Sequence, residues 1–156
     1  MQRLALNFVV VFAAALAALL LHDYLRGSRT GGDFGVGARQ ERDRVLESDF
    51  RRAADPARVA LAEFYFSHGT WPSSNAQAGL PEPSLYRGES LRTLAVSGST
   101  ITLTFDGRSG VDGGQIILRG ETTPELAMGI HWECISPNLP DIATALPHCV
   151  HRRPGG

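Results

Sequence analysis

The chain holds 156 residues, and its 15 Lys and Arg against 16 Asp and Glu leave a formal net charge of −1. A balance so near zero supplies neither the basic field that nucleic acid requires nor an acidic tail for a cationic partner, which excludes both. Setting aside ~35 residues for an apolar N-terminal segment and its exit leaves about 120, enough for one small domain and too few for two.

The first element is an almost unbroken apolar run, residues 4–21, with Asn7 as its polar interruption. As a helix this run rises about 27 Å, enough to cross a hydrocarbon core of about 30 Å. No small-x-small cleavage site follows it; His22, Asp23, Tyr24, Leu25 and Arg26 do. An uncleaved transmembrane anchor over 1–26 is therefore expected. Charge does not orient it, because Arg3 on one side competes with Arg26 and Arg29 on the other. Cys134 and Cys149 do, since cysteines pair outside the cytosol, and a bond closing about fifteen residues is worth on the order of 3 kcal/mol. The expectation is a single pass with the N-terminus in the cytoplasm and the C-terminal part exported.

Five glycines between residues 27 and 37 predict a flexible tether over 27–38. A globular domain is then expected over 39–150, with a short tail at 151–156. Its first segment carries a partial helical stripe of Val45, Leu46, Phe50 and Ala53 and is predicted to stop near Ala54. Asp55-Pro56 restarts the helix, Asp as N-cap and Pro at the first helical position, with Ala57, Val59, Ala60 and Phe64 on its inner face. Gly69 ends it. A loop rich in Pro, Ser, Asn and Gly runs from 69 to 89. Alternation then begins: Leu94 and Val96, a tight Gly98-Ser99 turn, then Ile101, Leu103 and Phe105 make a hairpin. A turn-rich connection over 106–114, a short strand over 115–119 and a last one carrying Met128, Ile130, Trp132 and Cys134 on one face give about four strands.

The stretch Val59-Ala-Leu-Ala-Glu-Phe-Tyr-Phe-Ser-His-Gly-Thr-Trp-Pro-Ser-Ser-Asn-Ala-Gln-Ala-Gly-Leu80 resembles the globular part of type IV pilins, where a helix ends in a Gly-x-Trp-Pro-Ser-x-Asn loop. Ile101-Thr-Leu-Thr-Phe105, Ile116-Ile-Leu118, Ile130-His-Trp-Glu-Cys134 and Leu146-Pro-His-Cys149 continue the likeness over residues 55–149. The resemblance implies an α+β fold: a transmembrane helix, then an α-helix packed on a roughly four-stranded antiparallel sheet with a C-terminal disulfide loop. It also implies a structural protein of adhesive or motile filaments. Residues 1–10 carry neither the Gly before Phe-Thr-Leu-Ile-Glu that pilin leaders end on nor the acidic residue that registers neighbouring subunits. With the tether added, homopolymeric filaments of this chain alone are not expected.

The spacings His131-x-x-Cys134 and His148-Cys149-x-His151 also suit zinc, but an exported compartment favours the disulfide and strand alternation turns His131 away from Cys134. Trp132 shares a face with Ile130 and reads as core. Trp71 stands before Pro72, where a cap over the sheet and an exposed contact residue are both open. The loop closed by Cys134 and Cys149 presents Pro137, Asn138, Pro140 and Asp141 as a candidate contact surface. No nucleophile elbow, carboxylate pair or phosphate-cradling loop is present, so no enzyme, cofactor, metal or small-molecule substrate is expected. Two functions follow: a pilin-like structural or accessory protein of a type IV pilus system, with the membrane and pilus or assembly proteins as partners; or a membrane-tethered binding module of pilin fold that holds a partner protein, a glycan or a phage component.

Overall fold

A computed structural model of the protein describes residues 2–122 and 129–153, with the side chains of 18, 35–122 and 129–153. Contacts divide the chain into two compact units, Met1–Gln40 and Glu41–Gly156. Helix α1 spans Gln2–His68. The break expected at 27–38 is therefore replaced by helix. Each glycine there costs about 1 kcal/mol relative to alanine, yet helix propagating from both flanks needs no new nucleus across it. The apolar run at 4–21, the expected anchor, has its side chains, Ala18 apart, outside the described residues; among those described, no helix is long and apolar enough to cross a membrane.

In the second unit α1 also continues where a stop and restart were expected, through the internal Pro56. Proline removes one backbone donor, but Ala53, Ala54 and Ala57 around it are all buried and hold both halves of the helix on the same sheet. The buried positions Leu46, Phe50, Ala53, Ala57 and Leu61 recur every three or four residues. Val59 lies off this stripe at 56% exposure, and Ala60 and Phe64 are only half-buried, which corrects the inner face expected for the second half. The helix closes as expected: Gly69, at φ 70°, lets its N–H donate back to the Tyr65 carbonyl at 2.8 Å.

The sheet has five strands, β1 Leu91–Ser97, β2 Thr100–Phe105, β3 Gly114–Glu121, β4 His131–Ser136 and β5 Cys149–His151, in that spatial order. The first four pair antiparallel. The β1–β2 hairpin closes on Gly98-Ser99 as expected, Ser97 opposite Thr100, with Gly98 at φ 61°. The sheet is nevertheless mixed, with a fifth strand where four antiparallel ones were expected, because β5 runs parallel to β4 with Cys149 opposite Cys134. A three-residue strand carries too short an alternation to stand out in a sequence. Met128 lies outside the described residues, and His151 and Arg152 extend the domain past 150: His151 belongs to β5, and the Arg152 N–H donates to the Ser136 carbonyl at 2.9 Å.

One face of the sheet, Leu94, Val96, Ile101, Leu103, Phe105, Ile116 and Leu118, packs on the α1 stripe as a single core. Four backbone groups along the outer side of β1 and its turn are taken. Arg87 donates to the Arg92 carbonyl at 2.6 Å, the buried Asn75 amide donates to the Leu94 carbonyl at 2.9 Å and accepts from the Val96 N–H at 2.7 Å, and the Gly98 N–H donates to the Pro72 carbonyl at 2.9 Å.

Candidate functional site

After β4 the chain leaves the sheet, forms the short helix α2 Ile142–Ala145 and returns as β5, so residues 135–148 make a loop whose base is the Cys134–Cys149 disulfide. The bonded pair is also a register pair of the parallel ladder, with Cα atoms 4.5 Å apart. Leu139, Ile142, Ala145 and Leu146 point into the core and anchor the inner side of the loop. Its outer side carries the candidate contact residues, which have different roles. Pro137 is half-buried. Asn138 is exposed, but its amide is committed, accepting from the Gln115 N–H at 2.8 Å and donating to the Gly113 carbonyl at 3.0 Å. It is a strap to the start of β3. Pro140 and Asp141 face outward, and the Asp141 carboxylate makes no capping hydrogen bond to α2. With Arg42, Asp43, Leu46, Val111 and Leu139 they line a recess of about 110 Å³.

Trp71 sits elsewhere. Its ring stacks on Tyr65 at 4.6 Å and meets Trp132 edge-on at 6.3 Å, and it covers Gly120, where an added Cβ would lie 2.9 Å from the indole. Trp132 packs against the core as expected. Trp71, half-buried, joins the end of α1 to β3 and β4.

Two polar residues that hold the fold carried no role in the sequence reading. Asp49 is 1% exposed on the α1 stripe. Its carboxylate accepts from the backbone N–H of Ser90 at 2.7 Å, of Leu91 at 3.0 Å and of Glu89 at 3.2 Å, and from the Ser90 hydroxyl at 3.0 Å, so it ties α1 to the start of β1; Arg52 reaches it from the rim at 3.0 Å. Burial raises its pKa, and the hydrogen bonds from Ser90, Leu91 and Glu89 together outweigh burial, leaving the carboxyl below its ordinary value. A Cβ on Gly88 would collide with this carboxylate. Asn75, also buried, adds a donation to the Pro81 carbonyl at 2.8 Å to its bonds along β1. An acidic residue between the apolar positions Leu46 and Phe50 was the available signal for Asp49; Asn75 closes the Gly-x-Trp-Pro-Ser-x-Asn motif, which marked the residue but not its bridging role.

Of the five His and Cys weighed as zinc ligands, Cys134, His148 and Cys149 come together, their donor atoms within 4.8 Å of one another. In the bonded state the two sulfurs have no thiolate to offer. His131 is exposed on β4, and His151 bonds the Ser136 carbonyl through Nδ1 at 3.0 Å.

A helix stripe on a mixed five-stranded sheet, closed by a disulfide-bounded C-terminal loop, coincides with a match of residues 50–148 to the family described as pilin, bacterial filament. The chain belongs to the pilin family. The matched span of this pilin opens at Phe50 on the buried stripe and closes at His148, beside the second cysteine. The type IV major pilin protein PilE of Neisseria gonorrhoeae is 30% identical over 53 residues, 34% of this chain and 32% of that protein. The fimbrial protein of Neisseria meningitidis serogroup A is 31% identical over 52 residues, 33% of this chain and 31% of that protein. The chain thus matches about a third of the length of each relative.

Proposed function

We propose that this pilin is a non-enzymatic structural or accessory protein of a type IV pilus system, held in the inner membrane by residues 4–21 with its C-terminal domain in the periplasm. It acts in pilus assembly or adhesion through the outer side of the disulfide loop. The observation that carries this reading is the match of the α1 stripe, the sheet and the loop to the pilin family over residues 50–148. Pro140 and Asp141, both exposed, the Asp141 carboxylate with no hydrogen bond among the described residues, are the contact residues of choice; Asn138 and Trp71 contribute by holding their segments in place. The apolar run supports the anchor, since a helix of that length suits a bilayer. One argument against filament growth falls away, because α1 is helical through the glycines that were expected to interrupt a spine.

The test is fractionation of cells expressing the tagged chain, followed by electron microscopy and immunogold labelling of sheared surface material. Recovery in membranes, and in pili or their assembly complexes, with the pilus association weakened by Asp141→Lys at unchanged thermal stability, is the expected result. A chain recovered from membranes but absent from pili and from their assembly complexes would refute the pilus reading and leave the tethered binding module.

A further inference from the structure

We propose that, with its disulfide reduced, the base of the C-terminal loop is a three-ligand site for a d10 cation of the Zn2+ or Cu+ kind, made by the sulfurs of Cys134 and Cys149 and the imidazole of His148. Three observations carry this. The three donor atoms already lie within 4.8 Å of one another. The backbone that presents them does not depend on the S–S bond: β5 is also held by the Cys149 N–H on the Leu146 carbonyl and by the Arg152 N–H on the Ser136 carbonyl, both 2.9 Å, and by His151 on Ser136. The third is access. Both sulfurs are buried, whereas His148 is exposed, lies beside the Phe50 ring at 6.0 Å, makes no hydrogen bond among the described residues, and lines an open recess of about 340 Å³ with Arg51, Asp55 and Arg58.

The chemistry balances with a dithiol as reductant. It delivers two electrons and two protons to the S–S bond, giving two thiols and its own cyclic disulfide. The entering cation displaces one proton from each thiol, and the neutral imidazole contributes a lone pair. A tetrahedral ion with bonds of about 2.3 Å to sulfur sets the two sulfurs about 3.8 Å apart, less than the 4.5 Å between their Cα atoms, so side-chain rotation suffices to open the pair. Soft thiolates with one imidazole select zinc and cuprous ions over magnesium and calcium. The ion closes the same loop in a chain not yet oxidised.

The test uses the full chain in detergent, reduced with dithiothreitol and desalted without oxygen. Zn2+ is titrated against a chromophoric chelator, Cu+ against a cuprous chelator, and Co2+ is followed by its thiolate charge-transfer band. One equivalent of Zn2+ or Cu+ is expected in the reduced chain and none in the oxidised one, with affinity about tenfold or more weaker in His148→Ala and a raised melting temperature for the reduced chain at saturation. Either cation binding in this way supports the site, and which one binds identifies it. Binding of neither, equal affinity in His148→Ala, or binding with no rise in melting temperature, as for an unfolded dithiol, would overturn it.

Discussion

Asp49→Ala is the sharpest test of how α1 is joined to the sheet. The substitution removes the acceptor of three backbone N–H groups and one hydroxyl. Ser90 and Leu91 are 0% and 3% exposed, so their donors cannot turn to water. Each stranded buried donor costs about 1–3 kcal/mol. The Glu89 donor and the Arg52 guanidinium lie at the surface and add little. Against this stands the relief of no longer burying a carboxylate, which brings the expected loss to about 3 kcal/mol, a large part of the 5–15 kcal/mol that holds a domain folded. At about 4 °C per kcal/mol for a domain of this size, the melting temperature falls by ~12 °C. Thermal and urea unfolding of the full chain in detergent, followed by circular dichroism, measures it. The pH dependence has a definite sign. Because the folded pKa lies below the unfolded one, near 4, this stabilisation is complete above the unfolded value and fades as pH falls through the folded one. Asp49→Asn should flatten the acid limb of the stability profile. A melting temperature for Asp49→Ala within about 2 °C of wild type, or an unchanged acid limb in Asp49→Asn, would refute the reasoning.

Gly88→Ala forces a Cβ against the same carboxylate; it is expected to cost about 1–3 kcal/mol alone and much less in the Asp49→Ala background, where the obstacle is gone, and the double-mutant cycle by urea unfolding reads this coupling. Asn75→Ala strands the Val96 N–H together with the Leu94 and Pro81 carbonyls, and about 2–4 kcal/mol is expected from the loss, with amide hydrogen exchange accelerated along β1 before other strands. Cys134→Ser should lower stability by about 3 kcal/mol, while thiol labelling of the wild-type chain before reduction should find no free cysteine; labelling of both cysteines would remove the clasp. Gly120→Ala crowds Trp71, Ile130 and Trp132 and should cost about 1–3 kcal/mol with a shift in tryptophan emission.

The readable parts of this fold were those written in short-range periodicity. The β1–β2 hairpin, the end of α1 at Gly69 and the alternation of β2 are local patterns, and each appears where its residues place it. Errors entered where a local signal met a longer-range one. Gly and Pro read as breaks at 27–38 and at Pro56, yet the helix runs through both. Assuming a break at Ala54 also let the second helical segment be phased independently of the first, which set Val59 inward; one continuous helix fixes the phase from Leu46 and Phe50 onward and turns Val59 out. β5 depends on a return across the sheet that three residues cannot announce. The disulfide was legible because it needs only one residue type, present here twice, whereas the strap of Asn138, the Asp49 clamp and the Asn75 bridge along β1 depend on partners 19 to 42 positions away.

The bonds along the outer side of β1 bear on what happens when many copies of the domain are crowded together. An open strand edge is a template for a neighbour's strand, and high local concentration favours such pairing. Here the Leu94 carbonyl and the Val96 N–H are already taken by Asn75, with Arg87 and Pro72 on either side. Copies of this pilin therefore cannot zip together through β1 without first expelling the 69–89 loop. At this edge, association is steered toward side-chain surfaces, where order and reversibility can be set residue by residue, and away from the indiscriminate backbone adhesion that leads to aggregates.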